Sequence, residues 1–429
     1  MKIKLSSLLY FYIAVFPILP TYLMLGEWSF SVYFNMAFAG FLILVVVPKI
    51  PCLFNKELIF FTIYVAVLMF CNVVHSEYVY AVKTMTSLLF IAVLVVYVID
   101  TKEKFLKAID ILIYIGGIVG VFGVIESVTE FNVFALLNNA NAVLNYNELR
   151  FGLLRIISFT SQTITYANYA SIIACLAFYR INMTSEKKKR IFILIYILMC
   201  VNVILTMSRS VILCFVLSQI VLFIMCGFWK FVKRALLAGI VLLAISFITS
   251  LAFSGIEEAI NNFVNMFLAV FDEESYNSVS QSVDNTGGVG HRFSLYEWVW
   301  DDVSNSKFLG KGLSAKFLHI VKGREKTSIE VQYLYTLFHY GLLGMIAEIF
   351  MYISILVNTL LRFNKPYSFE NTKLSFSKVC FVLFLSQFLS YFAVMQDMID
   401  RTFYIVLFLL FAYMVNLSPK HDLRQGVLI

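Results

Sequence analysis

Arg209 is the single charge in 38 residues, Ile191 to Phe228, that also lack proline. One helix of that length would rise roughly 57 Å, about twice the ~30 Å hydrocarbon core of a bilayer. The chain therefore turns near Ser208-Arg209-Ser210, which sets a guanidinium at the edge of an apolar bundle. There it can grip an anion through paired N–H donors, or snorkel to the interface as an ordinary anchor. A second chemical stretch runs from His291 to Val303, where Phe293, Tyr296, Trp300 and Val303 recur at helical spacing. Such a stripe reads first as a packing face, while Trp298 and Trp300 also offer flat faces on which a sugar ring can stack. Lys307 to Leu313, KFLGKGL, brackets a lysine between Gly310 and Gly312 and predicts a tight turn. Asp301 and Asp302 point apart on a helix and have no third ligand, so no metal site is expected.

The elements that must position these residues follow from composition. With 61% hydrophobic residues, 14% charged and 43 phenylalanines, the chain reads as an all-α integral membrane protein. About twelve transmembrane helices are expected, near Ser6–Leu25, Ser29–Val47, Glu57–Val74, Met85–Ile99, Ala108–Val124, Ser161–Tyr179, Ile191–Met207, Val211–Phe228, Ala235–Phe253, Val331–Leu361, Val379–Met395 and Thr402–Val415. The first is read as a retained anchor. Lysine and arginine in short loops number 21 on the side of the N-terminus and five on the other. The rule that basic loops stay in the cytoplasm then places both termini inside and the long polar segment outside. The net charge of +7 is this bias rather than a nucleic-acid signal.

This reading divides the chain into helices one to nine (1–253), a long outer loop with short helices (254–330), and helices ten to twelve with a tail (331–429). The loop splits by charge, with six acids and no base from Gly255 to Gly290, then seven bases and five acids from His291 to Glu330. Its first part suits an amphipathic surface helix followed by a tether; eleven acids to seven bases argue against a polyanion groove, so an anion site must consist of local arginines. The seven cysteines lie in expected spans or a cytoplasmic turn and imply no disulfide framework. The absence of a Walker loop and a dinucleotide fingerprint argues against a pump driven by its own nucleotide domain. Glu348, deep in the tenth helix, is a costly group expected to pair within the bundle, or to line a substrate path.

Three stretches resemble the O-antigen polymerase and ligase superfamily, membrane glycosyltransferases acting on polyprenyl-diphosphate-linked glycans. They are Arg155 to Ala167 (RIISFTSQTITYA), Met207 to Ile212 (MSRSVI), and the run from Arg292 through Trp298 and the FLGKG turn to Glu330, Tyr333, Leu334, Gly341 and Gly344. The glycine and proline usual in the first stretch are absent. Ligases of the superfamily carry a His-Asn pair where this chain has Glu330-Val331, which favours polymerase over ligase. The resemblance implies a GT-C-like enzyme in the bacterial inner membrane, active on the periplasmic side. A sugar hydroxyl of one lipid-linked repeat unit attacks the anomeric carbon of another chain, and polyprenyl diphosphate leaves. No cofactor or metal is implied, and the partners are the lipid-linked oligosaccharide, the bilayer, a chain-length regulator and a flippase. Within it Arg155, Arg209 and Arg292 are candidates to stabilise the diphosphate, and Glu330 is either the base or a helix-start carboxylate. His291, Trp298, Trp300, Gly310, Gly312 and Tyr333 are candidate substrate contacts. A lipid-linked oligosaccharide flippase is the alternative from another class.

Overall fold

The computed structural model describes residues 4–139, 149–150, 153–184, 186–227, 289–321, 324–363, 370, 374–392 and 401–417. Among these residues helix stands at eleven of the twelve expected positions. The ninth, 235–253, lies outside the described residues, as do 255–288 of the acidic surface helix and tether. The helices are α1 (Leu5–Val15), α2 (Phe30–Val46), α3 (Ile59–Val74), α4 (Tyr78–Thr84), α5 (Ile91–Val98), α6 (Lys102–Thr129), α7 (Thr163–Ile181), α8 (Glu186–Leu205), α9 (Arg209–Cys226), α10 (Val289–Asp302), α11 (Gln332–Leu360), α12 (Phe376–Ser390) and α13 (Arg401–Asn416). Three two-stranded hairpins complete the described secondary structure.

Among the described residues five helices, Phe30–Phe54, Tyr78–Val98, Lys102–Thr129, Arg209–Cys226 and Gln332–Leu360, are long and apolar enough to cross a membrane. Four shorter ones, Leu5–Ile18, Ile59–Val74, Phe376–Ser390 and Arg401–Asn416, are also apolar. The architecture is that of an all-α membrane protein. The expected break before Arg209 is present, with α8 ending at Leu205 and α9 starting at Arg209.

Three expectations need correction. The first helix stops at Val15, not Leu25, and a single 3-10 turn follows over Phe16–Ile18. Pro17 and Pro20 withhold the N–H groups that would continue it, and the chain enters a hairpin that pairs Met24–Leu25 with Trp28–Ser29. The fourth starts at Tyr78 rather than Met85, and α4 joins α5 through a π turn at Met85–Phe90. The tenth is not one rod, because Gly341 has non-helical angles (φ 66, ψ −167) inside α11.

Glycines close the bundle around α6. A Cβ on Gly116 would meet Ile173 Cγ2 at 2.5 Å, and one on Gly117 would meet Ile195 Cγ1 at 3.0 Å. The seam thus lets α7 and α8 approach at backbone distance, as small residues do in lipid-embedded helix pairs. Asn202 on α8 donates to the Gly120 carbonyl (3.0 Å) and accepts from Tyr166 Oη of α7 (2.7 Å). At the opposite end of these helices Arg180 pairs with Asp110 through two N–H donors (2.6 and 3.0 Å). There Glu370 also accepts from Tyr179, Tyr413 and the Phe376 amide. Gly116→Leu is expected to force α6 off α7 and to cost about 1–3 kcal/mol or more by overpacking. A lowered thermal midpoint of the purified protein in detergent checks this, with Gly40→Ala, where a Cβ meets nothing within 4 Å, as the neutral comparison.

Candidate active site

At the end of the bundle where α3, α6 and α8 finish, the KFLGKGL segment and the break in α11 form one unit. Breaking a helix strands the last carbonyls of one piece and the first amides of the next. The turn supplies both sets of partners. Lys311 and Gly312 amides donate to the Phe338 and His339 carbonyls (2.8 and 3.0 Å), and the Leu342 and Leu343 amides donate to the Lys307 and Phe308 carbonyls (2.8 and 3.2 Å). The two backbones touch, so that a Cβ on Gly310 would sit 2.5 Å from Gly341 N, and one on Gly341 would sit 2.5 Å from Gly310 N. Both residues also have positive φ, 70° and 66°, and Gly341 lies in a region open essentially to glycine alone.

Beyond the break the two legs of α11 fold back on each other. A straight helix would separate Gln332 from Glu348 by about 24 Å along its axis, yet Gln332 Nε2 donates to Glu348 Oε1 (3.3 Å) and Thr336 Oγ1 to Oε2 (2.6 Å). The expected partner of Glu348 is therefore supplied by its own helix across the break. The end of α3 grips the same turn. Glu77 accepts from the Leu313 and Ser314 amides (2.8 and 2.6 Å), His75 Nε2 lies 3.1 Å from the Leu309 carbonyl, and His339 Nδ1 lies 2.7 Å from that of Gly312.

A second carboxylate clamp organises the arginine turn. Glu126, 1% exposed, accepts from the Ile157 and Ser158 amides (3.0 and 2.8 Å) and from Asn132 Nδ2 (3.2 Å). This fixes the strand that carries Arg155, whose Nε donates to the Thr206 carbonyl (3.2 Å) and whose second terminal nitrogen donates to Thr163 Oγ1 (2.7 Å). Thr206 lies three residues before Arg209, and Arg209 is the first residue of α9. The fold thus brings the first two resembling stretches together, with Arg209 at the positive end of a helix dipole.

Next to these units lies a cavity of about 560 Å³ among α1, α2, α3, α4, α5 and α13. Leu313 of the glycine turn and Tyr335 and Tyr340 of the short leg of α11 form part of its wall. Trp28, Tyr80 and Lys83 line it near the half-exposed surface, and Tyr12, Asn35 and Tyr64 line its buried depth. Arg401 at the start of α13 also lines it and donates to the carbonyls of Phe16 and Leu19 and to Ser31 Oγ.

The other candidates are placed as follows. His291 and Arg292 belong to α10, but their side chains lie outside the described residues. The buried face of α10 is Leu295 and Val299, continued by Val303 just past its end, with Trp298 against it; Tyr296 and Trp300 are 41% and 48% exposed. The expected stripe is corrected accordingly, because aliphatic side chains take the dry face and amphipathic rings take the rim. Trp298 stacks on His319 (5.1 Å, 11°), and Lys307 lies 5.3 Å over Trp300. Asp302 is held by His319 and Lys311. Tyr333 is buried and donates to the Phe388 carbonyl (2.9 Å). Glu330 is half-buried immediately before α11, and Gly312 (φ 83) rests on His75 and Glu77. Reading the chain in one dimension misses His75, Glu77, Glu126 and Arg401. Their only signal is a polar residue at the tip of an apolar helix.

Residues 194–349, a little over a third of the chain, match the family model described as O-antigen ligase. No curated protein matches the chain. The matched stretch holds most of α8, all of α9, the glycine turn, the break and Glu348, and leaves out Glu126, Arg155 and Arg401. With the helical architecture it supports the O-antigen polymerase and ligase superfamily, whose activities are those of membrane glycosyltransferases and ligases in polysaccharide synthesis.

Gly341→Ala is expected to destabilise the protein by about 1–3 kcal/mol from backbone strain alone, with the collision against Gly310 added. Hydrogen exchange reads this locally. The Lys311, Gly312, Leu342 and Leu343 amides should lose protection while those of α6 keep theirs; unchanged protection at the turn contradicts the clamp.

Proposed function

We propose that this protein is a polymerase of polyprenyl-diphosphate-linked oligosaccharides, joining repeat units of an O-antigen or related surface polysaccharide. The observation that carries the reading is Arg155 held by the Glu126-clamped strand against the turn that opens α9 with Arg209. In this reading Arg155, Arg209 and the N-terminus of α9 form the cationic rim that a departing diphosphate asks for. The hydroxyl of one repeat unit attacks the anomeric carbon of the growing chain; the new glycosidic bond forms as the bond to diphosphate oxygen breaks. Negative charge develops on the leaving diphosphate, where Arg155 and Arg209, joined by Arg292 from α10, stabilise it. Glu330, at the entrance to the broken helix, accepts the hydroxyl proton.

In this reading the lysine-rich ends of the helices face the cytoplasm, together with both termini, and the glycine turn faces the periplasm. The enzyme has a GT-C-like organisation of about twelve spans, releases undecaprenyl diphosphate, and works beside a flippase and a chain-length regulator. Glu330-Val331 in place of His-Asn supports polymerase over ligase. A half-open cavity among helices also suits a carrier, so the test must separate catalysis from transport.

Purified protein in detergent, given radiolabelled lipid-linked repeat units and no membrane gradient, is expected to produce a ladder of longer chains. Active substrate with no elongation sinks the polymerase. Arg209→Ala should lower elongation by about 10²–10³-fold, in line with loss of one fixed donor to a developing oxyanion, while the protein still accumulates in the membrane. Arg209→Lys should restore only part of the rate, because a point charge cannot pair in two places. Full chain length from Arg209→Ala would remove the diphosphate role from that residue.

A further inference from the structure

We infer that the cavity among α1 to α5 and α13 is a saccharide-binding site for the sugars of the acceptor repeat unit, built from residues other than the arginine turn. The identity of the saccharide rests on the polymerase reading; the existence of the site rests on its lining.

Three ligand classes can be weighed against that lining. A lipid tail asks for a continuous apolar wall; most of the lining surface here is apolar, but fifteen of the twenty-four lining residues carry a hydroxyl, an amide or a charge that interrupts it. A diphosphate asks for concentrated positive charge with open donors. Here Arg401 is the one arginine of the lining, with its guanidinium 5.0 Å over the Phe16 ring. The remaining lining charges, Lys83 and Glu27, are opposite in sign. A saccharide asks for flat aromatic faces beside its C–H surfaces and for small polar groups around its hydroxyls.

The cavity offers both. Trp28 and Tyr80 meet edge to face near its surface, with ring centroids 5.4 Å apart at 62°, and Lys83 Nζ lies over one side of each ring, 5.7 and 6.0 Å from the centroids. At depth Asn35, 1% exposed, accepts from Tyr12 Oη (2.7 Å) and donates to Ser87 Oγ (2.9 Å). An asparagine amide has two donors and two acceptor lone pairs, so one donor and one lone pair of this buried lining residue remain for a ligand. The π turn Met85–Phe90 carries Ser87 and Leu88 to the wall, an irregularity of the kind that recurs at functional sites.

Size and position indicate the acceptor. About 560 Å³ falls within the ~300–1,000 Å³ of small-molecule pockets, which admits the few sugars of one repeat unit and cannot enclose a growing polymer. Leu313, Tyr335 and Tyr340 belong to the turn-and-break assembly, so a saccharide in the cavity lies against the unit that ends at Glu330.

The test uses the full chain in nanodiscs and two probes: the oligosaccharide repeat released from its lipid by mild acid, and inorganic diphosphate. Calorimetry is expected to show saccharide binding that Thr84→Trp, which fills the cavity, and Trp28→Ala, on the surface hairpin, each weaken by about tenfold or more. Arg209→Ala should leave saccharide affinity within about twofold. Thermal midpoints of the variants identify any that misfold, and Trp28→Ala decides if Thr84→Trp does. Absence of saccharide binding, or binding indifferent to both cavity variants, overturns the inference, as does diphosphate binding lost with the same variants. Elongation by the wild type with unaltered KM for the repeat unit in both variants also overturns it and leaves the polymerase standing. Saccharide binding with no elongation keeps the cavity and removes the polymerase.

Discussion

The exchange of four backbone hydrogen bonds between the glycine turn and the break at Gly341 is the interaction on which the rest of this end of the molecule depends. In an apolar bundle an unpaired amide or carbonyl costs several kcal/mol, so a helix can be interrupted only where another backbone takes over its partners. Residues 307–312 do so in register, their carbonyls serving the amides of the second leg and their amides the carbonyls of the first. Neither partner admits a side chain at the crossing, which requires glycine at both 310 and 341. Once the break is set, the short leg returns alongside the long one, and Tyr335, Tyr340 and Glu330 take their positions from it.

Carboxylates repeat this solution at three further places where the chain leaves or enters a helix. Glu126 holds the Ile157 and Ser158 amides, Glu77 holds those of Leu313 and Ser314, and Glu370 holds the Phe376 amide with two tyrosine hydroxyls. Each accepts from two or more donors, which makes an acidic group tolerable where solvent is scarce. Two of these clamps set the chemistry of the rim: Glu126 aims the strand bearing Arg155, and Glu77 ties α3 to the glycine turn. The rim joins segments as far apart as Glu77 and Leu313, and Arg155 is held by Thr163 and the Thr206 carbonyl next to the stretch that Glu126 clamps.

The two polar regions differ in charge. The arginine turn carries Arg209 at the N-terminus of α9, three residues after Thr206, whose carbonyl accepts from Arg155. The cavity has one arginine, a lysine and a glutamate of opposite sign, and otherwise a mixed lining of aromatic, hydroxyl and aliphatic side chains. A lipid-linked glycan has the same two parts, a dianionic bridge and a neutral sugar chain. The family match reaches Arg209 and the glycine unit but not Glu126 or Arg155, and the cavity is built mainly from the N-terminal helices and α13.

The sequence by itself determined the class of this protein. Apolar runs of membrane length, one-sided lysines and the charge-free stretch around Arg209 required an all-α bundle and a turn at Ser208, because hydrophobic length and backbone satisfaction are local demands. The KFLGKGL turn was legible for the same reason, glycine being a local signal for unusual backbone angles. Proline placement would have shortened the first helix on the same evidence. Only the tertiary structure decided that Gly341 splits a helix whose hydropathy reads as unbroken, since the opposing backbone that makes the break affordable lies some thirty residues earlier. Nor could spacing reveal that Glu126 serves Arg155, that Glu348 is satisfied by its own helix, or that Asn35, Ser87 and Arg401 line one cavity. Those facts depend on which distant segments meet, and a one-dimensional pattern records what a residue needs without recording who supplies it.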